Sequence, residues 1–272
     1  MVKIFSANKH IPHEKFIFSG GEVQVKISDS LIKWPTFFII KAHLTNSNDF
    51  FELALVVDAL RRMYGSHVEL YLILPYLPYA RQDRAMTTGE SLSLKVFCGM
   101  INNMNFESVE VWDVHSDVSL ALLDRVSHKP VEKILGNYVR GNILVAPDAG
   151  SLKKVAKVAQ TFSVPMVRAD KTRSVVDGSI TGTVVYSENV GDKDFLIVDD
   201  ICDGGRTFIE LAKELRKLTT GKIKLYVTHG IFSKGLAVFN GLIDVVYCAV
   251  PFPGTVPDVE YDGEFYVVGN LW

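Results

Sequence analysis

Short apolar runs alternate with amphipathic stretches along almost the whole chain. A short strand is expected around Lys3–Phe5, and the alternation in Val23–Ile27, after a Gly20-Gly21 turn, predicts a half-exposed strand. Thr36–Lys41 (TFFIIK) reads as a buried strand, and Asn48–Met63 carries Leu53, Leu55, Val56 and Leu60 at helical spacing behind an Asn or Asp cap. Leu70–Leu74 and Ser108–Val114 are strands with a helix, Glu90–Asn102, between them. A second series begins near Val139. Asn142–Ala146 predicts a strand, Val155, Ala156 and Ala159 an amphipathic helix, Pro165–Arg168 a short strand, and Gly182–Tyr186 a strand in a hairpin or flap. Phe195–Val198 has the length and β-branched content of a buried parallel strand, and Phe208, Leu211, Ala212 and Leu215 mark the helix after it. Lys222–Thr228 and Val245–Ala249 are further core strands, a helix is expected to start in His229–Val238, and Glu264–Val268 closes a tail rich in Pro and Gly. Strands alternating with helices predict an α/β protein with mostly parallel sheets. The two series suggest two similar halves, divided in Gly136–Gly141 into domains 1–138 and 139–272.

The polar positions cluster where α/β proteins hold ligands, beyond strand C-termini or in nearby turns. The strand Phe195–Val198 is expected to end at Asp199 and Asp200, before the loop Ile201-Cys-Asp-Gly-Gly-Arg-Thr207. Glycines let backbone N–H groups close on an anion, Thr207 adds a hydroxyl, and a helix N-terminus adds partial positive charge. Carboxylates beside such a loop accept hydrogen bonds from sugar hydroxyls or hold a divalent cation. This stretch therefore reads as a phosphate-and-sugar site, although it is no Walker loop, since no G-x-x-x-x-G-K-[ST] occurs. Four further clusters join it. Arg81-Gln-Asp-Arg84, on a rigid approach through Tyr76, Pro78 and Tyr79, suits nucleotide phosphates and a purine edge. His115, beside Asp113 and Asp117, suits a metal or a phosphate oxygen. Pro147-Asp-Ala-Gly-Ser151 suits a pyrophosphate–metal site. Lys171 and Arg173 are cations able to close on a phosphoryl group as it gains charge, and Phe18-Ser-Gly-Gly-Glu22 is most simply a hairpin turn.

Composition narrows this only a little. With 29 Lys and Arg against 31 Asp and Glu, nothing marks a polyanion-binding surface, so any phosphate site is local and no nucleic-acid partner is expected. Cys98, Cys202 and Cys248 are too few and too widely spaced for a disulfide framework or a zinc site, which points to a reducing compartment. The start MVKIFSANKH is no signal peptide and no apolar run approaches a membrane span, so a cytoplasmic protein without membrane contact is expected.

Taken together, FSGGEVQVKI, PYLPYARQDR, VWDVHSD, VAPDAGS, ADKTR, FLIVDDICDGGRT and VTHGIFSKG resemble the ribose-phosphate diphosphokinase (PRPP synthetase) family, in family order from about Phe18 to Pro253. The resemblance implies two phosphoribosyltransferase-like domains, ATP on the first and ribose phosphate on the second. It implies transfer of pyrophosphate from ATP to the C1 hydroxyl of ribose 5-phosphate, giving PRPP and AMP for nucleotide and NAD synthesis. It makes Arg81, Gln82 and Asp83 the ATP loop, with Phe18 and Glu22 reaching the ATP site of a neighbouring subunit, so a homodimer or hexamer is implied. It makes His115 and Asp148 a Mg²⁺-associated pair, with His115 also at ATP, and Asp148, Ala149 and Gly150 the pyrophosphate loop. Lys171 and Arg173 become flexible-loop cations that, with His115, serve catalysis. Asp199 and Asp200 hold ribose hydroxyls, and Asp203, Gly204, Gly205, Arg206 and Thr207 hold the 5-phosphate. Four departures stand out: Gly20 where the family usually has Asp, a short N-terminus expected to lack the usual first helix, a short C-terminal end, and a DGGRT loop in place of DTGGT. Gly204 removes a hydroxyl and Arg206 adds a cation. The pocket therefore suits either ribose 5-phosphate or a ribose whose 5-phosphate is esterified, such as ADP-ribose. A non-catalytic regulatory paralogue is a further alternative, against which the intact Arg81, Gln82, His115, Asp148, Lys171 and Arg173 count.

Overall fold

The structure is a computed structural model that describes residues 1–28, 36–173, 180–255 and 260–269, with backbone alone at 171–173, 180 and 181. The chain divides into two compact units, Met1–Lys129 and Pro130–Trp272. In the first, β1 (Val2–Ser6), β2 (Lys9–Ile11), β3 (His13–Ile17), β4 (Val23–Ile27) and β5 (Phe37–Ala42) precede α1 (Ser47–Tyr64) and β6 (Glu69–Ile73). Then come α2 (Ser93–Asn102), β7 (Ser108–Trp112), α3 (Val118–Leu122) and β8 (Val126–Lys129). The sheet runs β2-β1-β5-β6-β7-β8, with β1 antiparallel to both neighbours and β5 to β8 parallel. Helix α1 opens on Asn46, whose side chain accepts from Asp49 N at 3.0 Å, and it buries Leu53, Val56, Val57 and Leu60.

The hairpin β3–β4 packs on α1 through charge as well as apolar contact. Glu52, only 4% exposed, accepts from His13 Nε2 at 2.9 Å and from Lys15 Nζ at 2.7 Å, so its charge is paired where water is excluded. Strands β2 and β3, β8 and helix α3 have no counterpart among the predicted elements; β3 reads HEKFI and presents nearly all of it to solvent, which gives no apolar alternation to detect.

In the second unit β9 (Asn142–Ala146), α4 (Leu152–Phe162), β10 (Met166–Arg173), β11 (Ile180–Val185) and β12 (Asp194–Cys202) lead to α5 (Arg206–Leu215). β13 (Ile223–Gly230), β14 (Val245–Pro251) and β15 (Glu264–Val267) complete it. The order is β11-β10-β9-β12-β13-β14-β15, parallel throughout except for β10 with β11. Strand β9 is buried along its whole length, and β12 buries Phe195 to Val198, the signature of a parallel sheet covered on both faces. Phe208, Leu211 and Leu215, each worth roughly 1.5–3 kcal/mol on burial, anchor α5 to a core with Ile143, Ile197, Leu225 and Phe239.

Three expectations are corrected. Strand β12 does not stop at Asp199 and Asp200 but continues to Cys202, because β13 runs alongside to Gly230 and supplies its ladder. His229 does not start a helix: it lies within β13, which ends at Gly230, and a 3₁₀ turn at Ala237–Phe239 follows. Residues Ala169 to Arg173, expected as a loop beyond a short strand, extend β10 because β11 pairs with them. Among the described residues no helix is long and apolar enough to cross a membrane.

Candidate active site

In the second unit three neighbouring strands deliver three loops to the same end of the sheet. β9 and β12 are parallel, with Val145 beside Ile197, so Asp148 and Asp199 follow adjacent strand segments. The Asp199 carboxyl is held well above its ordinary pKa, first by burial, then by the negative charge of Asp200, with Asp148 adding to it. Asp199 Oδ1 accepts from Asp200 N at 2.9 Å, while Asp200, 6% exposed, has Lys154 Nζ of α4 at 3.9 Å. Asp148 is braced by Ser151, whose N donates to Asp148 Oδ1 at 3.1 Å and whose Oγ donates to Asp148 O at 2.9 Å. Ala149 and Gly150 are exposed, so this loop offers backbone and one carboxylate outward.

The loop 203–207 follows β12. Asp203 Oδ1 accepts from Ser233 Oγ at 2.6 Å. Gly205 takes the left-handed φ of 76° that starts α5, and its carbonyl accepts from Phe208 N and Ile209 N, both at 3.0 Å. The earlier amides of the first turn have no partner within the helix, which is what an anion needs. Thr207 lies half-buried in that turn. Arg206 points along the helix instead: its Nε donates to Glu210 Oε1 at 2.8 Å and its side chain is 80% exposed.

Strand β10 pairs with β9 through Arg168 and then runs past the end of β9, carrying Lys171 opposite Thr183 and Arg173 opposite Ile180. The backbone of the two cationic residues thus rises at the same end of the sheet as Asp148, as strand rather than as loop. Their side chains lie outside the described ones.

In the first unit the loop after β6 carries Arg81 and Gln82 exposed. Asp83 makes two bonds to Arg84, at 2.9 and 3.1 Å, and accepts from Ser116 Oγ at 2.7 Å, which ties this loop to the one after β7. Arg84 and then Ser116 bring the Asp83 carboxyl down to about 2. Tyr79, at a φ of 64°, packs its ring at a tilt against Phe97, with centroids 5.4 Å apart. His115 is exposed at the end of β7. The Phe18–Glu22 turn is a hairpin closed by Phe18 N on Glu22 O at 2.9 Å, and Phe18 is 58% exposed. His115 and Asp148 belong to different units.

These loops invite comparison with known proteins. Residues 6–104 match the family described as the N-terminal domain of ribose phosphate pyrophosphokinase, and residues 122–238 match the phosphoribosyl transferase domain. The ribose-phosphate pyrophosphokinase of Mycoplasma genitalium is 31% identical over 252 residues, covering 87% of this chain and 74% of that protein. The chain belongs to the ribose-phosphate pyrophosphokinase family. The corresponding protein of Corynebacterium efficiens is 31% identical over 228 residues, 79% of this chain and 68% of its own length. The fold agrees with the crystal structure of phosphoribosylpyrophosphate synthetase from Mycobacterium smegmatis, at a TM-score of 0.76 and 22% identity over 95% of this chain and 86% of that one. The α/β architecture with two phosphoribosyltransferase-like domains is therefore shown, and the chain is an enzyme of this kind.

Sequence reasoning missed several supporting residues. Ser116 lies in VWDVHSD and Ser151 in VAPDAGS, but each braces a carboxylate, which spacing does not reveal. Lys154 lies one turn into an amphipathic helix and reads as a solvated face. Lys234 sits in VTHGIFSKG, far from the loop it touches.

Proposed function

We propose that the enzyme transfers the β,γ-diphosphate of ATP to the C1 hydroxyl of ribose 5-phosphate, releasing AMP. The observation that carries this reading is the strand order β10-β9-β12, which gathers the Lys171 and Arg173 backbone, the Asp148 loop and the Asp199-Asp200 pair with its phosphate loop at one end of one sheet. The division of labour is ATP on 1–138, through Arg81, Gln82, Asp83 and His115, and acceptor on 139–272. Asp199 and Asp200 hold the ribose hydroxyls, and loop 203–207 takes the 5-phosphate. The C1 oxygen bonds to the β-phosphorus as its bond to the α,β-bridging oxygen breaks. That oxygen leaves on AMP, and the hydroxyl proton passes to solvent. Lys171 and Arg173 offset the charge that grows on the transferring group, a role worth roughly several kcal/mol in preorganised sites.

Among the described residues no three His, Cys, Asp or Glu side chains form a metal cage. Mg²⁺ nevertheless fits, because it takes one or two carboxylates and completes its shell with phosphate oxygens and water. Burial raises the Asp199 carboxyl first, and the negative charges of Asp200 and Asp148 add to it, a crowding that a divalent cation relieves. In the second unit Asp148 is the residue that would hold Mg²⁺, which supplies neutralisation of the ATP phosphates when bound; His115 of the first unit is assigned to the ion by the family resemblance alone.

Exposed Phe16, Ile17 and Phe18 on the β3–β4 hairpin support assembly into a homodimer or hexamer, since such an apolar tip favours a covering partner. A second acceptor, ADP-ribose, is favoured by one feature: Gly204 leaves the loop without a side chain, and Arg206 is held away by Glu210. Incubation with Mg²⁺–ATP and either acceptor tests both readings through AMP release. AMP with ribose 5-phosphate supports the first reading, AMP with ADP-ribose alone replaces it by the second, and no AMP with either overturns both.

A further inference from the structure

The turn after β13 is bonded to the phosphate loop along its length. Ile231 N and Phe232 N both donate to the Cys202 carbonyl, at 2.8 and 3.1 Å, and Ser233 N donates to Asp203 O at 3.2 Å. Ser233 Oγ adds its 2.6 Å bond to the Asp203 carboxylate. These bonds fix the base of the next side chain, Lys234. Its methylene stem lies over Gly204: a Cβ built at Gly204 would stand 3.6 Å from both Cδ and Cε of Lys234. That is ordinary van der Waals contact, so the lysine stem covers the space on which a larger residue at 204 would face. The Lys234 side chain is exposed, and among the described residues its ammonium has neither a hydrogen bond nor an ion pair, whereas Arg206 is engaged by Glu210.

We propose that Lys234 is the cation that reads the phosphate on O5 of the acceptor ribose, and so determines acceptor affinity in place of a hydroxyl side chain at position 204. The inference rests on reading residues 203–207 as the phosphate loop. A lysine is suited to this task because it is a compact charge with three donors on a flexible stem, with no fixed fork to satisfy. The chemistry it recognises, a phosphate on O5, is shared by ribose 5-phosphate and ADP-ribose. A loop built from glycine backbone and one mobile cation accepts both more readily than one built from fixed hydroxyls.

The test is calorimetric titration of the full chain with ribose 5-phosphate, ADP-ribose and ATP, for the wild type and for Lys234→Met and Lys234→Arg. Lys234→Met is expected to weaken binding of a 5-phosphorylated acceptor by about tenfold, the scale of a lost charge-assisted hydrogen bond. ATP binding stays unchanged, Lys234→Arg restores most of the affinity, and the difference shrinks as salt is raised. Loss for ribose 5-phosphate alone assigns Lys234 to the monoester; loss for both acceptors assigns it to the shared phosphate. Unchanged acceptor affinity in Lys234→Met, an equal loss for ATP, or a wild type that binds neither acceptor overturns the proposal. AMP release separates the two claims: a wild type whose acceptor binding depends on Lys234 but which makes no AMP refutes the reaction and leaves the lysine's role standing.

Discussion

Gly205 is where backbone geometry and the proposed phosphate site meet most tightly. It opens α5 at φ 76° and ψ −4°, and a Cβ there would lie 2.9 Å from both Cε1 and Cζ of Phe239 and 3.4 Å from Val238 Cγ2. Phe239 is 0% exposed, so its ring has no room to swing away. Placing alanine in the left-handed region costs roughly 1–2 kcal/mol, and forcing a methyl group into a close-packed core typically adds about 1–3 kcal/mol. Gly205→Ala is therefore expected to destabilise the protein by about 2–5 kcal/mol. Gly204→Ala is the internal control, since nothing lies nearer than 3.6 Å to its Cβ, and a change of under about 0.5 kcal/mol is expected. Urea unfolding followed by circular dichroism reads both values. The same substitution shifts the amides that start α5, so Gly205→Ala should also weaken ribose 5-phosphate binding by about tenfold or more while ATP binding holds. A Gly205→Ala protein as stable as wild type, or a Gly204→Ala protein damaged to the same degree, would refute the reasoning.

Two further outcomes are expected. Lys171→Ala should lower kcat by orders of magnitude with a modest change in ATP affinity, as befits a cation that acts on charge formed during transfer; an unaltered kcat in steady-state AMP release would remove that role. Glu52→Gln should cost about 1–3 kcal/mol at neutral pH, because it takes a charge-assisted acceptor from His13 and Lys15. Burial alone would raise the Glu52 carboxyl, but the His13 and Lys15 bonds outweigh it and set it below its ordinary 4.5. Its contribution is thus complete above that value and is lost as pH falls through the lower folded-state value, so wild type and variant should converge in acid. Parallel stability curves from neutral pH down to acid unfolding would show that the pair contributes nothing.

The sheet cores were legible because Ile143–Ala146 and Phe195–Val198 are continuous apolar runs, as befits parallel strands covered on both faces. The misread strand ends fall mostly on polar residues, while α3 (VSLAL) is too short for a helical period to show. β3, β10 beyond Arg168 and the Asp199-to-Cys202 end of β12 are strands because a neighbour offers a ladder, and pairing partners leave no mark in the local pattern. His229 was misread for the same reason, since β14 pairs with it through Val250. In the candidate loops of each unit, the charged residue types stood out in Arg81-Gln-Asp-Arg84, Asp148 and Asp199-Asp200. Their braces did not: Ser116 holds Asp83 across 33 positions and Ser233 holds Asp203 across 30, distances over which sequence spacing carries no information.

The central claim is that diphosphate moves as one unit onto the sugar C1 oxygen. ³¹P NMR of a reaction with Mg²⁺–ATP and ribose 5-phosphate tests it directly. The account predicts AMP together with a new diphosphate pair on the C1 oxygen of a sugar that keeps its 5-phosphate. ADP with a sugar bearing a single new phosphate would contradict it.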